Sequence, residues 1–186
     1  MLKLMSKAVV VNLIGFQIAW FTTVLGAAHG MHWLGLIVVP LILAMHLFST
    51  QHWRQELSLA ATAALLGFAV DSALVASGVF TPIPYIWASP PWSPPWMVML
   101  WVNQAAALNS SLAWMRERYL LGAAFGAIGG PLAYLSGAKL GAMSQLPTQQ
   151  GLVILGFTWG VMFPLLLWLA ANAATPTPPA DPPREP

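Results

Sequence analysis

Cysteine is absent from this chain and charge nearly so: of 186 residues only 6% are Asp, Glu, Lys or Arg. The first absence removes disulfides, thiolate metal sites and thiol nucleophiles together. The second excludes a water-soluble fold of this length, because soluble domains carry roughly 25% charged residues. A net charge of +2 without a basic run offers nothing to grip phosphates, so nucleic acid is not an expected partner. Reaction signatures are missing too: there is no HExxH, no GxSxG, no paired carboxylates and no acid-rich motif for a metal-bound diphosphate. An enzyme is the less favoured class, and no cofactor or metal is expected.

What is present is apolar. The chain is 58% hydrophobic, with mean hydropathy +0.71. Segments 8–26, 32–49, 57–77, 96–114, 119–138 and 151–171 each approach the roughly 20 residues that cross a bilayer as a helix. The expected fold is all-α: a polytopic membrane protein with six transmembrane helices in one compact bundle over residues 1–174. Residues 175–186 form a Pro-rich cytoplasmic tail that reads as disordered. Orientation follows from Lys and Arg, which gather on the cytoplasmic side. With the N-terminus inside, Lys3, Lys7, Arg54, Arg116, Arg118 and Arg184 are cytoplasmic, and Lys139 alone is outside. Both ends are therefore expected in the cytoplasm. The first segment is long for a cleaved signal and is interrupted by Asn12 and Gln17, so it is read as a retained span.

One outer connection is long. Segment 78–95 carries Pro82, Pro84, Pro90, Pro91, Pro94 and Pro95 with Tyr85, Trp87 and Trp92, and Trp96 follows. Prolines forbid a regular helix there, and tryptophans favour the headgroup level. The expectation is a stiff cap lying at the interface.

Asp71 is the one acid inside a span, where a carboxylate must face the bundle and find a partner or a proton. Gly67 and Ala64 precede it on the same face and invite a neighbouring helix. Asp71 stands roughly 10 Å from the outer end of its helix, at about 1.5 Å per residue. The same depth falls near Gln17, Asn103 with Gln104, Tyr134 and Thr158 in the other helices. Such a layer reads either as a small polar pocket opening outward or as a structural hydrogen-bonded layer. Gly122, Gly126, Gly130, Ala133 and Gly137 form a packing stripe, and Pro131 frees the Ala127 carbonyl and invites a kink. His29, His32, His46 and His52 all lie in or beside the second segment, without an opposing histidine to share a haem, and read as interfacial. Leu25–Gly30 resembles Leu121–Gly126, and Leu66-Gly67-Phe68 resembles Leu155-Gly156-Phe157, a weak hint of inverted repeats.

Several of these residues occur in an order that resembles a known family. They are Asn12, Gly15-Phe16-Gln17 and Trp20; Gly67, Asp71 and Gly78; Trp101, Leu108-Asn109, Ser111-Leu112 and Trp114; and Gly129-Gly130-Pro131, Ala133-Tyr134, Gly137 and Gly141-Ala142. Together they resemble the bacterial inner-membrane family catalogued as domain of unknown function 2878, over nearly the whole chain apart from the tail. The resemblance implies an inner-membrane location. It also implies a link to lipid, since members are often encoded near cyclopropane-fatty-acid-synthase-like methyltransferases and lipid-modifying oxidative enzymes. The expected ligand-binding residues are Asp71, Gln17, Asn109, Asn103 and Tyr134. Expected partners are membrane lipids and a lipid-modifying enzyme. The expected function is to bind or present a lipid, or to dock a lipid-modifying enzyme, in membrane-lipid modification or envelope stress; the competing expectation is a small-solute or lipid transporter with Asp71 as its proton-coupling group.

Overall fold

Segments that meet lipid rather than water must satisfy their backbone amides internally, and a helix does so within one stretch of chain. The computed structural model, which describes residues 7–83 and 92–173, folds them accordingly into α1 (Lys7–Ala28), α2 (Trp33–Phe48), α3 (Trp53–Ala76), α4 (Pro95–Leu108), α5 (Tyr119–Lys139) and α6 (Gln149–Ala173). Four of these, α1, α3, α5 and α6, are long and apolar enough to cross a membrane. α2 is a shorter apolar helix of 16 residues, roughly 24 Å long. Mid-helix residues such as Leu41 (59% exposed), Leu65 (73%) and Phe157 (76%) point outward, so the bundle presents the apolar girdle of a multi-pass membrane protein. α5 continues unbroken through Pro131. The tail lies outside the described residues.

The fourth segment departs from expectation. Instead of running from 96 to 114, its helix stops at Leu108. Asn109, Ser110 and Ser111 follow, whose short polar side chains offer the backbone alternatives to helical bonding. Asn12 on α1 fixes the stop: its Nδ2 donates to the Ala106 carbonyl at 2.9 Å, and its Oδ1 accepts from the Ser111 amide at 3.3 Å. A single 3-10 turn (Ala113–Met115) and Glu117, at φ 66°, then lead the chain into α5.

α4 is nonetheless the central helix. It packs against α1, α2, α3 and α6, whereas α5 lies almost entirely along α6. The core divides into one cluster around Ala63, Leu108 and Leu166 and another around Leu74, Phe80 and Leu155. Val70 and Trp159 touch both, at the level of Asp71.

A repeat is present, but not in the register the sequence suggested. Leu25–Gly30 ends a helix and turns at Gly30, while its supposed counterpart lies inside α5. Instead α3–α4 corresponds to α5–α6, two hairpins whose helices run in the same order. At the constant offset that carries Gly67 to Gly130, Leu57 meets Leu120, Ala60-Ala61 meets Ala123-Ala124, and Ala64 meets Ala127. Gly78 and Gly141 correspond as well, both at positive φ (73° and 94°) just past a helix end. Each cap closes with the same bond: Val79 N–H to Leu74 O at 3.0 Å, and Ala142 N–H to Gly137 O at 2.9 Å. Glycine is favoured at both because the left-handed conformation strains a residue with a Cβ. Beyond the caps the two chains pair antiparallel, with Pro82 opposite Met143 and Ser144 N–H donating to Thr81 O at 3.0 Å. Thr81 and Ser144 are themselves equivalent at that offset, so the local axis passes between them.

Candidate functional site

The two hairpins meet at a polar centre built from the same parts. On α3, a Cβ at Gly67 would lie 2.1 Å from the Trp101 ring, so the missing side chain is what admits that indole. On α5, Gly130 admits Trp159 of α6 in the same way, at 2.3 Å. The indoles stack with centroids 4.6 Å apart and planes 21° from parallel. The result is a glycine–indole–indole–glycine stack through the middle of the bundle.

One helical turn beyond each glycine stands a polar residue: Asp71 after Gly67, Tyr134 after Gly130. Asp71 is 1% exposed, and a carboxyl so placed is tolerated only with donors around it. Trp101 Nε1 donates to its Oδ2 at 2.9 Å, and the Tyr134 hydroxyl donates to its Oδ1 at 2.5 Å. Among the described residues Asp71 has no ion pair. Trp159 Nε1 sits beside the Tyr134 hydroxyl without full hydrogen-bond geometry, and Phe80 closes the other side of the phenol at 4.9 Å between centroids.

Next to this centre lies a cavity of about 420 Å³. α1 contributes Phe16, Gln17, Trp20 and Phe21; α4 contributes Trp96, Leu100 and Gln104; α5 contributes Leu132, Ala133 and Ser136. Asp71, Trp101, Tyr134 and Trp159 form its inner wall. Volume and an aromatic lining with a few convergent polar groups are the usual marks of a small-molecule site. The cavity opens between α1 and α5. Those helices approach where Ala28 faces Gly141 and Val24 faces Gly137, but farther along they stand apart, leaving Phe21 48% and Leu132 56% exposed at the mouth. A shallow groove along α1, lined by Leu13, Ile14 and Ile18, shares Gln17 and Phe21 with that mouth.

The residues expected at a common site are thus distributed as follows. Asp71 and Tyr134 bond to each other, and Gln17 lines the same cavity. Gln104 lines it as well, with its Nε2 buried and unbonded. Asn103, buried on α4, turns away and donates from Nδ2 to the Phe16 carbonyl at 3.0 Å, holding α1 against α4. Asn109 lies past the far end of α4, where its Oδ1 accepts from Arg116 Nη2 at 2.6 Å. It belongs to the turn, because the helix stops before it. Thr158 does not line the cavity; its neighbour Trp159 does.

Trp101, named only in the family pattern, and Trp159 are the members that the sequence did not place at this site. Both stand at the depth counted for Asp71, beside the polar residues picked out there. Trp96, expected at the interface, is buried and donates from Nε1 to Ile83 O at 3.0 Å. Trp92 stacks on Phe68 at 5.5 Å, and Ser93 N–H donates to Ser72 Oγ at 2.9 Å, so the described ends of the proline-rich connection grip α3. Its middle, with Pro84, Tyr85, Trp87, Pro90 and Pro91, lies outside the described residues. His29 bonds to the Leu25 carbonyl at 2.8 Å, and His46 Nε2 stands 3.5 Å from the buried Glu56 carboxylate, at the opposite end of the bundle.

Fold and site together define an all-helical, multi-pass membrane protein with an acid–phenol–indole centre beside an internal cavity. The chain belongs to the DUF2878 family, described as "Protein of unknown function", whose model matches residues 9–165. No curated protein and no solved structure matches it.

Proposed function

We propose that this is a six-span bacterial inner-membrane protein, with both ends in the cytoplasm, that binds a membrane lipid in the cavity between α1, α4 and α5. The observation that carries this reading is the shape of the cavity: its polar end is buried at Asp71 and Tyr134, and its aromatic mouth opens on the apolar face of the bundle between α1 and α5. A ligand entering that way comes from the bilayer rather than from water. The short α4 spans in this reading because it packs against α1, α2, α3 and α6, and irregular backbone is tolerated at membrane depth where protein buries it. The excess of Lys and Arg at the Arg116 end makes that end cytoplasmic. Gln17, Asp71 and Tyr134 are the ligand-facing groups, while Asn103 and Asn109 hold the scaffold.

A lipid held at the mouth would be displayed to a lipid-modifying enzyme working in the same leaflet. The test is lipid mass spectrometry of a deletion strain complemented with wild type, Asp71→Ala or Asp71→Asn. One lipid class should change on deletion and be restored by wild type but not by Asp71→Ala. Full restoration by both variants contradicts the site.

The second reading, a proton-coupled transporter, is favoured by one observation: among the described residues Asp71 has no charged partner, so a proton is what would neutralise it. Solute uptake into proteoliposomes that follows an imposed pH gradient, and is lost in Asp71→Asn, supports it. Uptake indifferent to the gradient removes it.

A further inference from the structure

The chemistry of the cavity wall narrows the ligand. This inference rests on the lipid-binding reading above and asks which polar group that lipid carries. Among the described residues no lysine, arginine or histidine lines the cavity, so a phosphate or carboxylate head would meet the Asp71 carboxyl without a counter-charge. Asp71, in turn, already has one donor on each oxygen, from Trp101 and Tyr134. The polar atom left open in the wall is of the opposite kind: Gln104 Nε2 is buried without a hydrogen-bond partner. Trp159 Nε1 is a second N–H not fully bonded. A buried donor left open is costly, and a ligand oxygen would recover that cost. Around these donors the wall is aromatic, with Phe16, Trp20, Phe21 and Trp96 suited to an apolar chain.

We infer that the cavity selects an apolar chain bearing an uncharged carbonyl oxygen, which accepts from Gln104, rather than an anionic or cationic head. That chemistry is shared by a fatty-acyl ester and an isoprenoid quinone. The headgroup of a larger lipid would remain outside the mouth, toward the membrane interface.

The test is displacement of tritiated methyl palmitate from the full chain in mild detergent, by methyl palmitate, palmitate at pH 8, hexadecyltrimethylammonium, hexadecane and a long-chain isoprenoid quinone. An uncharged carbonyl compound should compete at least roughly tenfold better than either charged one. The ester outranking the quinone assigns the acyl source, and the reverse assigns the isoprenoid source. Gln104→Leu should weaken the ester by about fivefold and leave hexadecane unchanged. The inference is overturned if palmitate or the ammonium compound matches the ester, or if Gln104→Leu weakens ester and hexadecane equally. Saturable binding by none of the five overturns the lipid-binding reading instead.

Discussion

Hairpins α3–α4 and α5–α6 use one plan and differ where function would need them to. In each, a glycine seats the indole of the partner helix, a polar residue stands one turn on, and a left-handed glycine ends the first helix. They diverge in two respects. The polar residue is an acid in one hairpin and a phenol in the other, which turns two equivalent positions into a donor–acceptor pair. The packing between hairpins also differs: α3 rests on α6, whereas the equivalent helices α5 and α4 barely meet, and the cavity occupies the space between them. The difference teaches that the cavity is a break in an otherwise repeated structure, lined on its third side by α1.

The largest effect expected is at the paired glycines. Gly67→Leu and Gly130→Leu each drive a side chain into an indole, and both should abolish recovery of monodisperse protein in detergent. If one is tolerated, the two stacks are not equivalent. Next is the polar pair. Asp71→Ala strands the Trp101 N–H and the Tyr134 hydroxyl, at a cost of about 3 kcal/mol, read by denaturation in mixed micelles. Tyr134→Phe removes one donor and should cost about half as much, near 1.5 kcal/mol. Equal losses from the two would mean that Asp71 does not organise the centre. The smallest effect tests the caps: Gly78→Ala and Gly141→Ala should each cost about 1 kcal/mol, and by similar amounts.

Much of this was legible in the sequence, for physical reasons. Scarce charge marks the ends of apolar segments, and an acid inside one stands out because lipid makes it expensive. The stripe on α5 was visible because small residues at helical spacing have one common use, and Gly122, Gly126 and Gly130 do seat α6. The end of α4 was not visible, since Leu112, Ala113 and Trp114 prolong the apolar run past Asn109–Ser111. What stops the helix is Asn12, almost a hundred residues earlier in the chain and apparent only in the fold. Trp101 and Trp159 were hidden for another reason. The chain has ten tryptophans, and sequence cannot separate one that anchors at the interface from one that donates to a buried carboxylate. Asn103 shows the limit of depth counting: it lies at the right level, but its side chain faces α1 rather than the cavity.

The central claim is that the break between hairpins is a lipid site open to the bilayer through the α1–α5 gap. Ala133→Trp would fill that mouth from an exposed position without disturbing the stacked indoles. Native mass spectrometry of wild type and Ala133→Trp, released from the same detergent, compares them directly. The account predicts one retained lipid mass on wild type and its loss in Ala133→Trp; equal lipid retention by the two proteins would contradict it.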